Sequence, residues 1–86
     1  MVVDVIKQLK EEIEELERLK SSVEKQLDDS QKRGSMEINN GYSGGIYLWK
    51  GGFGWEETID FLEGLVKKCD KEISTRLELV NGLEEE

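Results

Sequence analysis

Few residues in this chain could do chemistry, and their scarcity directs the reading. The single cysteine, Cys69, has no histidine to activate it, because the sequence contains none. Cysteine–histidine and serine–histidine nucleophile pairs are therefore excluded. Zinc held by Cys and His clusters within one chain is excluded as well. Asp28-Asp29 and Glu84 to Glu86 would attract Mg²⁺ or Ca²⁺ only weakly, since they lack the spaced oxygen ligands of a dedicated loop. Gly41-Tyr42-Ser43-Gly44-Gly45 has the glycine content of a phosphate loop. It has neither the Gly-Lys-Ser/Thr ending nor a preceding strand. The acid pair Glu56 and Asp60 opens a helix, where negative charge is favourable, and needs no glycosidase-type role. The expectation is no enzyme, no metal and no cofactor.

The elements around these residues are mostly helical. Val2, Ile6, Leu9, Ile13, Leu16, Val23 and Leu27 recur at spacings of three and four, with one longer step whose missing position is Lys20. Such spacing predicts a helix over 2–33 with a coiled-coil seam and one polar layer. Its outer face carries Glu11, Glu12, Glu14, Glu15 and Glu17, with Glu14 and Arg18 placed for an i,i+4 pair. Lys32 and Arg33 suit the helix C-terminus, and Gly34 can take the left-handed capping conformation. Ile59, Leu62, Val66, Cys69, Ile73, Val80 and Leu83 repeat the seam over a second helix, 56–81, with Arg76 at its missing position. Cys69 thus reads as a small buried hydrophobe. Leu65, Leu77 and Leu79 widen that helix's stripe, and Asn81-Gly82 reads as its stop, leaving 82–86 frayed.

Composition agrees with narrow seams. In 86 residues, 36% are hydrophobic and 37% charged, with no proline. One small domain over 1–86 is expected, and oligomerisation is a natural route to stability at this size. Twenty acidic against twelve basic residues give a net charge of −8. Without clustered Lys or Arg, neither nucleic-acid nor anionic membrane binding is expected. No segment approaches the ~18 apolar residues of a membrane span, and the N-terminus lacks a signal-peptide core. A lone cysteine fits a reducing compartment, so the expected location is cytoplasmic.

Between the helices the character changes. Residues 34–45 read as a polar loop, with Asn39, Asn40, Gly41 and Ser43 as turn formers. Ile46-Tyr47-Leu48-Trp49 is a strand by propensity, and Gly51-Gly52 is a two-residue hairpin signal before Phe53. A hairpin over 46–55 follows, with Trp49 opposite Gly54, Leu48 opposite Trp55 and Tyr47 opposite Glu56. Ile46, Leu48, Phe53 and Trp55 then share one face, while Tyr47 and Trp49 take the other, Trp49 lying over bare Gly54. Both faces are apolar and both edges are open, so hairpins from several chains are expected to pair into a shared sheet or barrel.

This pattern resembles the subunits of prefoldin. The resemblance is carried by Ile46-Tyr47-Leu48, Gly51-Gly52, Phe53-Gly54-Trp55-Glu56-Glu57 and Ile59-Asp60-Phe61-Leu62-Glu63, in the order of the single-hairpin β class. The Gly-Phe-Gly-Trp-Glu stretch is also similar to the strand-to-helix junction of the α class. The resemblance implies a mainly α fold, an antiparallel two-helix coiled coil with a central β-hairpin. It further implies a hairpin platform that joins subunits, formed here by Ile46, Tyr47, Leu48, Trp49, Phe53 and Trp55. The free helix ends would hold unfolded client proteins without ATP. By position, those ends carry Met1, Val2, Val3, Val5 and Ile6 from the first helix, and Leu77, Leu79, Val80 and Leu83 from the second. The chain is shorter than usual subunits of that family and lacks the second hairpin of the α class, so a small homo-oligomer is as compatible as a hexamer. Two other functions stay open: a structural coiled-coil adaptor or assembly subunit, and an acidic inhibitor that mimics nucleic acid.

Overall fold

The computed structural model describes residues 2–39 and 44–85. Four elements follow one another: α1 (Val2–Arg33), β1 (Ser35–Asn39), β2 (Gly45–Trp49) and α2 (Trp55–Glu84). The two helices run antiparallel, and the two strands form an antiparallel hairpin at one end of the pair. The whole is a rod of 53 × 25 × 17 Å.

Helix α1 has the limits its seam and caps dictate. Ile13 and Val23 are buried, and Ser30 continues the same stripe two turns further. Ser30 is the most completely buried residue described, and Gln26 Nε2 donates to its hydroxyl at 3.2 Å. Arg18 does not reach the Glu14 carboxylate; its Nε donates to the Glu14 main-chain oxygen at 3.4 Å. At the C-terminus Gly34 adopts φ 72° and its N–H donates to the Ser30 carbonyl at 2.8 Å. This left-handed residue turns the chain directly into β1.

The hairpin differs from the sequence expectation. Residues 34–45 are not all loop, because Ser35–Asn39 is the first strand. It pairs with β2 in the register Ser35↔Trp49, Met36↔Leu48, Glu37↔Tyr47, Ile38↔Ile46 and Asn39↔Gly45. The expected pairings of Trp49 with Gly54, Leu48 with Trp55 and Tyr47 with Glu56 are therefore replaced. Of the expected turn formers, Asn40, Gly41 and Ser43 lie outside the described residues, and Asn39 closes β1. Gly51, with φ 84°, makes a turn in which the Gly52 N–H donates to the Trp49 carbonyl at 2.9 Å. That turn carries the chain from β2 into α2 instead of back along β2.

Helix α2 begins at Trp55, after Gly54 in a left-handed conformation (φ 83°). The Gly54 carbonyl accepts both the Thr58 N–H (3.1 Å) and the Thr58 hydroxyl (2.8 Å). Glu56 and Glu57 sit in the first turn, where the helix dipole favours them. The helix runs through Gly82 to Glu84, so the expected stop at Asn81-Gly82 and the frayed tail from 82 are corrected. Leu83 stays half-buried, and Lys10 Nζ lies 3.0 Å from Glu84 Oε1 on the neighbouring helix. These tertiary contacts carry α2 past a glycine that costs only ~1 kcal/mol in a helix interior.

The core has two parts. Along the rod, Ile13 and Val23 of α1 and Cys69 and Val80 of α2 are buried. At the hairpin end Met36, Trp55 and Ile59 form a buried cluster, flanked by Leu27, Leu48 and Leu62. Met36 reaches this cluster because strand alternation turns it, with Leu48, toward the helices.

Candidate functional site

Both ends of the rod expose apolar side chains. At the hairpin end, alternation puts Met36, Ile38, Ile46 and Leu48 on one face and Ser35, Glu37, Tyr47 and Trp49 on the other. Only the inner half of the first face is covered. Leu48 is half-buried against the core, whereas Ile38 and Ile46, opposite each other, are exposed. Tyr47 and Trp49 are exposed on the second face. Phe53, on the turn, is 99% exposed and meets nothing in its own chain.

Two expected hairpin contacts are relocated. Trp55 is not a strand residue of the exposed face; it is 6% exposed, in the core with Met36 and Ile59. Trp49 lies over Gly52, not Gly54. A Cβ at Gly52 would sit 2.5 Å from the Trp49 Nε1, while one at Gly54 would meet only Leu48 at 3.6 Å. The absence of a side chain at Gly52 is thus what lets the indole pack over the turn. Beneath the same turn a groove of about 670 Å³ is lined by Lys50, Trp55, Ile59 and Asp60.

At the far end, the N-terminus of α1 and the C-terminus of α2 lie together. Val2, Val3 and Val5 are exposed, as are Leu77 and Leu79. Ile6 and Leu83 are half-buried. Val80, expected among the tip residues, is 4% exposed and belongs to the interhelical core. Met1 lies outside the described residues.

Between the ends, the two polar positions of the seams are cross-helix ion pairs. Lys20 Nζ lies 2.6 Å from Asp70 Oδ1. Arg76 Nε donates to Glu12 Oε1 at 2.9 Å, and its Nη1 to Glu72 Oε2 at 2.6 Å. The hydrogen bond that Lys20 donates to Asp70 holds its ammonium above its ordinary pKa. The hydrogen bonds that Arg76 donates to Glu72 and then Glu12 raise its own pKa, and Arg76 in turn holds the Glu72 carboxyl below the usual carboxylate range. The sequence showed the gaps at Lys20 and Arg76 but not their partners.

Sequence reasoning also missed Met36 and Ile38. Their only signal was a short alternation, Met36-Glu37-Ile38, among turn-forming residues. Phe61, exposed on the side of α2, was seen only as part of a motif. Cys69 is 3% exposed between the helices, closed to substrates. Glu56 and Asp60 rim the groove beneath the turn. Among the described residues no group of three His, Cys, Asp or Glu could hold a metal ion, and no helix is long and apolar enough to cross a membrane. The chain matches no family model, no curated protein and no solved structure.

Proposed function

We propose that this chain is an ATP-independent, prefoldin-like holdase, in which the hairpin end joins subunits and the far helix ends hold unfolded proteins. One observation carries this reading: exposed apolar side chains concentrate at the two opposite ends of a charged rod. Ile38, Ile46, Tyr47, Trp49 and Phe53 mark one end, and Val2, Val3, Val5, Leu77 and Leu79 the other. Exposed apolar patches of this kind mark interaction sites. The order helix, strand, strand, helix is the one that the resemblance to the single-hairpin class implies. Aliphatic side chains at a helix tip offer non-directional attraction, which suits clients without a fixed structure. Glu78 and Glu84 beside them keep the tip solvated and disfavour acidic clients. A cytoplasmic location, where such clients arise, belongs to this proposal.

The test is suppression of aggregation of a chemically denatured enzyme, without nucleotide. The intact chain is expected to delay light scattering at near-stoichiometric amounts. A Val3→Ser, Leu79→Ser double variant should lose most of that effect while keeping its helicity and native mass. No delay by the intact chain would overturn the reading. A second reading, a structural adaptor that docks on a partner bundle, is favoured by Phe61, whose ring is 68% exposed on α2, outside the hairpin strands. Under that reading Phe61→Ser, and not the tip variant, would abolish partner binding.

A further inference from the structure

Resting on the hairpin end as the joint between subunits, we infer that a second copy of this chain docks along the outer edge of β2. The two hairpins then form a four-stranded antiparallel sheet with its two-fold axis at Tyr47. The first ground is the direction of the main chain. In an antiparallel ladder, alternate residues point their N–H and C=O groups at the partner strand and away from it. The Lys50 N–H donates to the Gly34 carbonyl at 2.8 Å, continuing the β1–β2 register. Leu48 and Ile46 share that direction. Gly45, Tyr47 and Trp49 therefore point their main-chain groups outward, at the free edge.

The second ground is symmetry and side chains. A two-fold axis at Tyr47 sets Tyr47 opposite Tyr47, Gly45 opposite Trp49 and Ile46 opposite Leu48. All three outward residues fall in hydrogen-bonding positions in that register. The Tyr47 pair exchanges two bonds, and each Trp49 N–H meets a Gly45 carbonyl. The Trp49 carbonyl, already accepting from Gly52, is shared. Ile46 extends the apolar face on which Leu48 and Ile38 already lie.

The third ground is charge. The five residues of β2 carry none, whereas β1 has Glu37 at its centre. Self-pairing of β1 about its centre would set two carboxylates opposite each other, which is unfavourable, and a charged residue is a common guard on a free edge. The chain's net charge of −8 also resides away from this end. From 30 to 55 the only charged side chains are Lys32, Arg33 and Lys50 against Glu37. Two copies meeting here avoid the repulsion that would oppose contact along the acidic helices.

Cross-linking reads the pairing. With Cys69→Ala removing the native thiol, Tyr47→Cys should oxidise to a covalent dimer in near-complete yield, since two residues paired across the axis have Cα atoms within disulfide reach. Glu37→Cys should remain monomeric on a denaturing gel. Cross-linking through Glu37→Cys instead, or through neither, overturns the proposal. Should Tyr47→Cys lose its helicity, amide exchange of the unaltered chain decides. The Tyr47 amide should exchange at least ~10-fold more slowly at high than at low protein concentration, and equal rates overturn the proposal. Protection that arises only when a different protein is added would also overturn it. The aggregation assay fails separately: a cross-linked dimer without holding activity sinks the holdase reading and leaves this interface standing.

Discussion

Arg76 ties α2 to α1: its Nε donates to Glu12 Oε1 at 2.9 Å while its Nη1 is held by Glu72 of its own helix at 2.6 Å. The cation that interrupts the apolar seam thereby fixes which turn of α1 lies beside it. Lys20 with Asp70 does the same further along the rod. Polar layers at seam positions are the best-attested means of setting register.

Reversing the charge at that layer tests the pairing. Arg76→Glu places a third carboxylate beside Glu12 and Glu72 and should lower Tm at low ionic strength. The loss should shrink in 1 M salt, where screening acts over about 3 Å. Thermal melts at two salt concentrations measure it, and a salt-independent loss would mean that packing of the Arg76 stem dominates.

The pH dependence has a definite sign. Arg76 depresses the Glu72 pKa in the fold, so the stability from this pair is present above the ordinary carboxylate value and is lost as pH falls through the lowered one. Lys20 is raised, so its contribution is complete below the unfolded-chain value of about 10.4 and fades only as pH rises through the higher folded one. With no histidine, little should change between about pH 5 and 8. The Tm difference between the native chain and Arg76→Gln should therefore be constant over that window and vanish in acid. A step near pH 6.5 would contradict the assignment.

Trp55 and Phe53 should behave oppositely, though they stand two residues apart. Trp55→Ala empties the hairpin-end core and should cost about 3–5 kcal/mol in urea unfolding. Phe53→Ser removes a ring that touches nothing in its own chain, so the subunit's stability should change by less than about 0.5 kcal/mol. Equal losses would place Phe53 inside the subunit core.

Gly52→Ala tests the seat of Trp49. The added Cβ would lie 2.5 Å from the indole Nε1, so the exposed ring must swing away. A cost of about 1 kcal/mol is expected from such overpacking. The indole N–H resonance of Trp49 should move while that of Trp55 stays. If neither moves, Trp49 does not lie on this turn.

How far the fold was legible follows from where each signal is stored. Helix α1 was readable end to end, because its seam, its basic last turn and Gly34 are all local. Strand β1 was not. Met36 and Ile38 are its only apolar residues, and the Gly51-Gly52 pair offered a stronger local hairpin signal. Pairing Ser35 with Trp49 is instead a long-range choice, made because it buries Met36 with Trp55 and Ile59. The same choice moved Trp55 from the expected exposed strand into the core, and moved Trp49 from Gly54 to Gly52. Of the apolar tip, Leu77 and Leu79 were readable as widening the stripe of α2, and Val2, Val3 and Val5 only through their position at the helix end. Val80 was read both as a seam position and, by its place in the chain, as a tip residue, and the fold keeps only the seam position.

Native mass by light scattering tests the hairpin-end joint most directly. The expected result is twice the 9.9 kDa chain mass at micromolar concentration, falling to one chain in Tyr47→Pro, which removes an outward N–H and leaves the β1–β2 bonds of Ile46 and Leu48 in place. A single-chain mass for the native protein, or a dimer unaffected by Tyr47→Pro, would contradict it.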